Sequence, residues 1–154
     1  MNTSTRSVWF LTGSQHLYGQ EALKAVDRDS AQIVAGLNHR LSSGAGIIHR
    51  PVSKTPEEIR AACMEANNDP SCIGVVTWMH TFSPAKMWIN GLTSLQKPLC
   101  HLRTQFNRDI PWAEIDMDFM NLNQSAHGGR EFGHMLTRLR MPRTVIVGHW
   151  EETA

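Results

Sequence analysis

The chain has 154 residues, 41% of them hydrophobic, with 15 Lys and Arg against 14 Asp and Glu for a net charge of +1. That is enough for one domain with its own core and no need of disulfides or a structural metal, and a balanced charge without long runs of one sign gives nucleic acid or a membrane surface little to hold. Three scattered cysteines, Cys63, Cys72 and Cys100, without a CxxC, fit a reduced, cytoplasmic setting; the apolar run before Gly13 is too short for a signal peptide, and no stretch reaches the length of a membrane span.

In chain order, "SVWFLT" reads as a buried strand ending at Gly13. After the loop "GSQHLYG", Leu23, Val26, Ile33, Val34, Leu37 and Leu41 recur at helical spacing. "GAGIIHRPV" supplies a second strand, and "TPEEI" starts a second helix: Thr55 caps it, Pro56 suits its first position and Glu58 completes a capping box. Ile59, Ala62, Cys63 and Ala66 then share one side. "CIGVVTW" is apolar throughout, as a strand covered on both faces would be.

"SPAKMWINGLTSL" predicts a helix capped by Ser83 with Pro84 at its first position, burying Trp88, Gly91, Leu92 and Leu95. "KPLCHLRTQ" is the fourth strand, Leu122 to Arg140 the last helix, and "RTVIVGHW" the fifth strand. This alternation predicts a single α/β domain over 1–154, a flavodoxin-like open parallel five-stranded sheet with helices on both faces and strand order 2-1-3-4-5. A fifth helix would follow the last strand in such a fold. Its absence from the sequence predicts apolar surface left uncovered on one face, and a domain cut from something longer.

Ligands of such sheets sit beyond the carboxyl ends of the strands. The segments expected there, "GSQHLYG", "WMHTFSP", "RTQFN" and "GHWEE", pool Gln15, His16, Tyr18, Trp78, His80, Phe82, Gln105 and Trp150, with Arg103 the nearby strong cation. Amides, imidazoles and aromatic faces suit an uncharged polar ligand such as a sugar better than a phosphate. The opening loop is neither GxGxxG nor a P-loop, so a nucleotide has no motif behind it.

The other dense stretch, "IDMDFMNLNQSAHGGREFGH", contains Asp116, Asp118, His127 and His134, whose spacing matches no recognised metal set; the aspartates read as capping and solvated groups. Gly128 and Gly129, a costly pair inside a helix, imply close approach of the backbone to a neighbouring element or another subunit. No serine sits in a nucleophile elbow and no cysteine has an activating setting, so nothing in the chain makes an enzyme alone.

"VWFLTGSQHLYG", "HTFSPAKMWINGL", "KPLCHLRTQFN", "IPWAEIDMDFMNLNQSAHGGREFG" and "VIVGHW" together resemble the amino-terminal domain of bacterial L-arabinose isomerases, over about residues 8–150. The resemblance implies an aldose-ketose isomerase interconverting L-arabinose and L-ribulose, often accepting D-galactose. It also implies a homo-oligomer and a divalent metal, commonly manganese, whose two Glu and two His ligands come from later in the family's chain, with none here. It further implies that Gln15, Leu17, Tyr18, Phe82, Gln124 and His127 line the sugar pocket of a neighbouring subunit, and that the glycine pair packs near the subunit boundary. The competing readings are a non-catalytic sugar-binding or oligomerisation module and a flavodoxin-like cofactor binder.

Overall fold

The computed structural model describes residues 6–41 and 44–152. Five strands, β1 (Arg6–Gly13), β2 (Ala45–His49), β3 (Cys72–Met79), β4 (Leu99–Arg103) and β5 (Thr144–Val147), form one sheet in the order β2-β1-β3-β4-β5. Every pairing is parallel, from Arg6↔Ala45 at one edge to Arg103↔Val147 at the other. The α/β architecture and the strand order agree with the sequence reading.

Alternate residues of β1 feed two cores. Trp9 and Leu11 join Ile59, Trp88, Leu92, Phe132 and Leu136, which come from α2 (Pro56–Asn68), α3 (Ile89–Ser94), α5 (Ser125–Arg138) and the 3-10 turn Ala85–Trp88. Phe10 faces the other way, toward Ile33 and Val34 of α1 (Gly19–Arg40), with Trp78, Leu102 and Trp150. A two-residue period therefore assigns each β1 side chain to a layer, as a pleated strand requires.

The second face is less open than expected. Trp150 lies against α1 so closely that a Cβ on Gly36 would come within 2.5 Å of its ring. Its indole Nε1 donates to the Phe106 carbonyl at 2.9 Å, and the two rings stack at 6.1 Å. Exposure is instead concentrated on the edge strand β5, where Val145, Ile146 and Val147 all lie open.

α2 starts as expected at Thr55, whose Oγ1 accepts from Glu58 N at 3.1 Å. The reciprocal bond is displaced by one residue: the Glu58 carboxylate accepts from Lys54 N, at 2.6 Å. Ser83 does not cap a helix. Its hydroxyl accepts from the Trp88 indole at 3.0 Å, Pro84 is extended, and the chain turns first as 3-10 before α3 begins.

The predicted last helix, Leu122 to Arg140, is present as α5 with a later start, and a short helix the sequence reading did not foresee, α4 (Met117–Leu122), precedes it, capped by Asp116 accepting from Phe119 N at 2.8 Å. The break falls where Gln124 N leaves the helical ladder to donate to the His80 carbonyl at 2.8 Å. The glycine pair serves this chain's own sheet. A Cβ on Gly128 would sit 3.2 Å from Met79 Cβ and 3.3 Å from Thr81 O, and one on Gly129 3.6 Å from Arg103 Nε.

Gly13 is a sharper case of close approach. A Cβ there would lie 2.6 Å from Ser83 Oγ and 2.7 Å from the Trp88 ring, and both residues are fully buried. Gly13→Ala is expected to cost about 1–3 kcal/mol by overpacking, read as a lower denaturation midpoint in urea. A midpoint equal to that of the parent chain would refute this account of the glycine.

Candidate functional site

The sheet's carboxyl edge gathers the predicted residues from three separate segments. Gln15 follows β1 and donates from Nε2 to the Phe82 carbonyl at 3.2 Å. Phe82 follows β3 and meets the His127 imidazole edge to face, with ring centroids 5.0 Å apart. His127 lies in the first turn of α5, and Gln124 immediately precedes that helix, its amide 3.4 Å from Asn121 Oδ1. Gln15, Phe82 and Gln124 are half-buried and His127 is exposed, so the cluster is anchored on one side and open on the other.

Leu17 and Tyr18, in the 3-10 turn His16–Tyr18, border a cleft of about 570 Å³ shared with Glu21, Asp118, Phe119 and Asn121. Leu17 is 83% exposed. Asn121, on the border of this cleft, accepts from the Gln124 amide at 3.4 Å.

Other pooled residues do not reach it. Trp78, His80 and Trp150 are buried in the core. His16 turns to a separate cleft with Lys24, Asp27 and Lys54, and Gln105 to one with Arg103 and Ser125. Edge position in sequence does not separate a ring pointing into the pocket from one pointing into the layer beneath.

What the sequence reading missed is the polar scaffold under the cluster. His80 Nε2 donates to Asp29 Oδ2 at 2.9 Å, with both side chains essentially inaccessible. Trp78 stacks on the His80 ring at 4.7 Å, and Arg28 pairs with the other Asp29 oxygen at 2.9 Å. Ser14 and Thr81 share a 2.7 Å hydroxyl bond, and Ser30 donates to Thr12 at the same distance. The signal was present: Asp29 and Ser30 fall on the apolar stripe between Val26 and Ile33, where a polar residue must have a partner.

His101 is a second buried imidazole, under the start of α5. Nε2 donates to Gly129 O at 3.3 Å, and burial, helped by the nearby Arg103 and Arg143, lowers its pKa from 6.5 to about 4. It is therefore neutral at pH 7. Burial also raises the Cys63 thiol to about 12, which makes it inert as a nucleophile. Among the described residues no three or more His, Cys, Asp or Glu come together as a metal set, and no helix is long and apolar enough to cross a membrane.

Comparison with known proteins places the sequence in a family. The family model described as the L-arabinose isomerase N-terminal domain matches residues 2–154. L-arabinose isomerase of Vibrio parahaemolyticus is 61% identical over 147 residues, covering 96% of this chain and 30% of that protein. The Geobacillus thermodenitrificans enzyme is 62% identical over 144 residues, covering 94% and 29%, and the Flavobacterium johnsoniae enzyme 55% over 152 residues, covering 99% and 30%. The chain thus spans about 30% of the length of the relatives it matches. With the family model matching residues 2–154 and relatives 55–62% identical over nearly the whole chain, the chain belongs to the L-arabinose isomerase N-terminal domain family.

Proposed function

We propose that the chain is the amino-terminal domain of a cytoplasmic aldose-ketose isomerase that interconverts L-arabinose and L-ribulose, with D-galactose as a second substrate. In this reading the enzyme is a homo-oligomer, and Gln15, Leu17, Tyr18, Phe82, Gln124 and His127 line the sugar pocket of a neighbouring subunit. The observation that carries the reading is the meeting of Gln15, Phe82 and His127, from three segments, at one open edge.

The chemistry suits a neutral polyol. Gln15 spends its amide N–H on Phe82 and keeps its carbonyl oxygen for a sugar hydroxyl. His127, propped by the Phe82 ring, can donate to or accept from another, while Leu17 and Tyr18 shape an apolar wall. The exposed Leu17, Trp112, Met117 and Met120 favour contact with another subunit over free solvent.

The manganese that the family implies has no matching donor set among the described residues. The chain's own part is to orient the sugar and exclude water. By itself it is not expected to isomerise arabinose, since the metal ligands that the resemblance implies come from later in the family's chain.

In the complete isomerase that contains this domain, His127→Ala should lower kcat/KM for L-arabinose by about tenfold, the worth of one good hydrogen bond. The bound manganese content should stay as it was. Kinetics equal to those of the parent enzyme would remove His127 from the pocket.

A further inference from the structure

A second cleft on the same edge, of about 230 Å³, lies between the end of β4 and the start of α5 and is bordered by Arg103, Thr104, Gln105, Ser125, Ala126 and Val147. It is chemically unlike the sugar-facing cluster. His127 turns toward Phe82, whereas Ser125 and Ala126 border the same cleft as Arg103.

Three independent features meet there. First, α5 is a 14-residue helix with no side-chain cap and no acidic residue in its first turn. Its first ladder bond is Gly128 N to Gln124 O, and the N–H groups of Ser125, Ala126 and His127 make no hydrogen bond with any described residue. Second, Ser125 is only 6% exposed, yet its hydroxyl has no partner. Third, Arg103 is half-buried, and its guanidinium makes no ion pair or hydrogen bond with a described residue. Its side chain lies along the first turn of α5, with Nε 3.6 Å from where a Cβ on Gly129 would sit. No Asp or Glu borders the cleft.

Unpaired helix-start N–H groups carry partial positive charge, and a guanidinium beside them adds a full one. A buried hydroxyl left without a partner costs free energy that an acceptor oxygen would recover. We propose that this cleft is a binding site for one small oxyanion group, a phosphate or a carboxylate, held by the start of α5, Ser125 and Arg103. The site is independent of the sugar-lining role and stands or falls without it.

The test is a titration of the 15N-labelled chain with inorganic phosphate, and separately with acetate, at pH 7 and constant ionic strength. Saturable shifts of the Ser125, Ala126 and His127 amides and of Arg103 Nε–H are expected, with midpoints in the millimolar range. Arg103→Ala should weaken the response about tenfold or more, and Arg103→Lys should retain part of it. Tighter phosphate binding assigns a phosphate group as the ligand, and equal or tighter acetate binding a carboxylate; either supports the site. Shifts that do not saturate, that map elsewhere, or that persist unchanged in Arg103→Ala overturn it. Mapping on the parent chain decides the matter even if a variant fails to fold.

Discussion

Asp29→Ala should lower the unfolding free energy by about 1–3 kcal/mol, the usual cost of leaving a buried donor without its acceptor. Arg28 is 70% exposed and loses little, because its guanidinium can turn to water. The cost falls on His80, whose buried ring would lose the acceptor of its Nε2–H. Asp29→Asn, which retains an acceptor oxygen, should lose distinctly less. Urea unfolding of the three chains measures the differences, and a loss below about 1 kcal/mol for the alanine variant would mean the pair is not an anchor. The damage should also spread to the sugar-facing edge. The His80 carbonyl holds Gln124 N, and Phe82 lies two residues further along, so amide signals of Phe82, Gln124 and His127 should broaden before those of α2.

Acidification should weaken the fold through His101. The folded imidazole stays neutral down to about pH 4 because it is buried, whereas the unfolded one takes up its proton near 6.5. Between those values the unfolded state binds more protons, so stability is at its full value above about pH 6.5 and falls as the pH drops toward 4. The loss attributable to this residue is about 3 kcal/mol across that window. His101→Gln should flatten that part of the pH profile while lowering stability at pH 7 by losing ring packing against Phe132. Unfolding measured at pH 7 and about pH 4.5 tests it. Equal slopes for the two chains would show that another group carries the acid sensitivity.

The sheet was legible because its strands announce themselves. "CIGVVTW" is apolar enough for burial on both faces, and the helices between strands leave only parallel connections. The capping of α2 was legible for the same local reason, since Thr55, Pro56 and Glu58 act within four residues of one another. Ser83 and Gln124 were misread because distant partners outweigh the local pattern: the Trp88 indole takes the serine hydroxyl, and the His80 carbonyl draws Gln124 N out of a continuous helix. The same limit applies at the site. Sequence could pool the residues of the strand exits, but only the fold separates Phe82 and His127, which meet at the open edge, from Trp78 and His80, which face Asp29 and the core.

The strand order also dictates when the molecule can fold. β1 is made first yet lies between β2 and β3, so on the ribosome it waits with a bare hydrogen-bonding edge until residues 72–79 have emerged. The layer over Phe10 waits longer, because it closes only when Trp150 reaches α1, where Arg40 donates to the Trp150 carbonyl across a separation of 110 residues. At about 5–20 residues per second that interval lasts several seconds, long for an exposed apolar strand. The nascent chain therefore keeps an apolar layer open until this domain is nearly complete, and a ribosome slowed before Trp150 should raise aggregation more than one slowed after it.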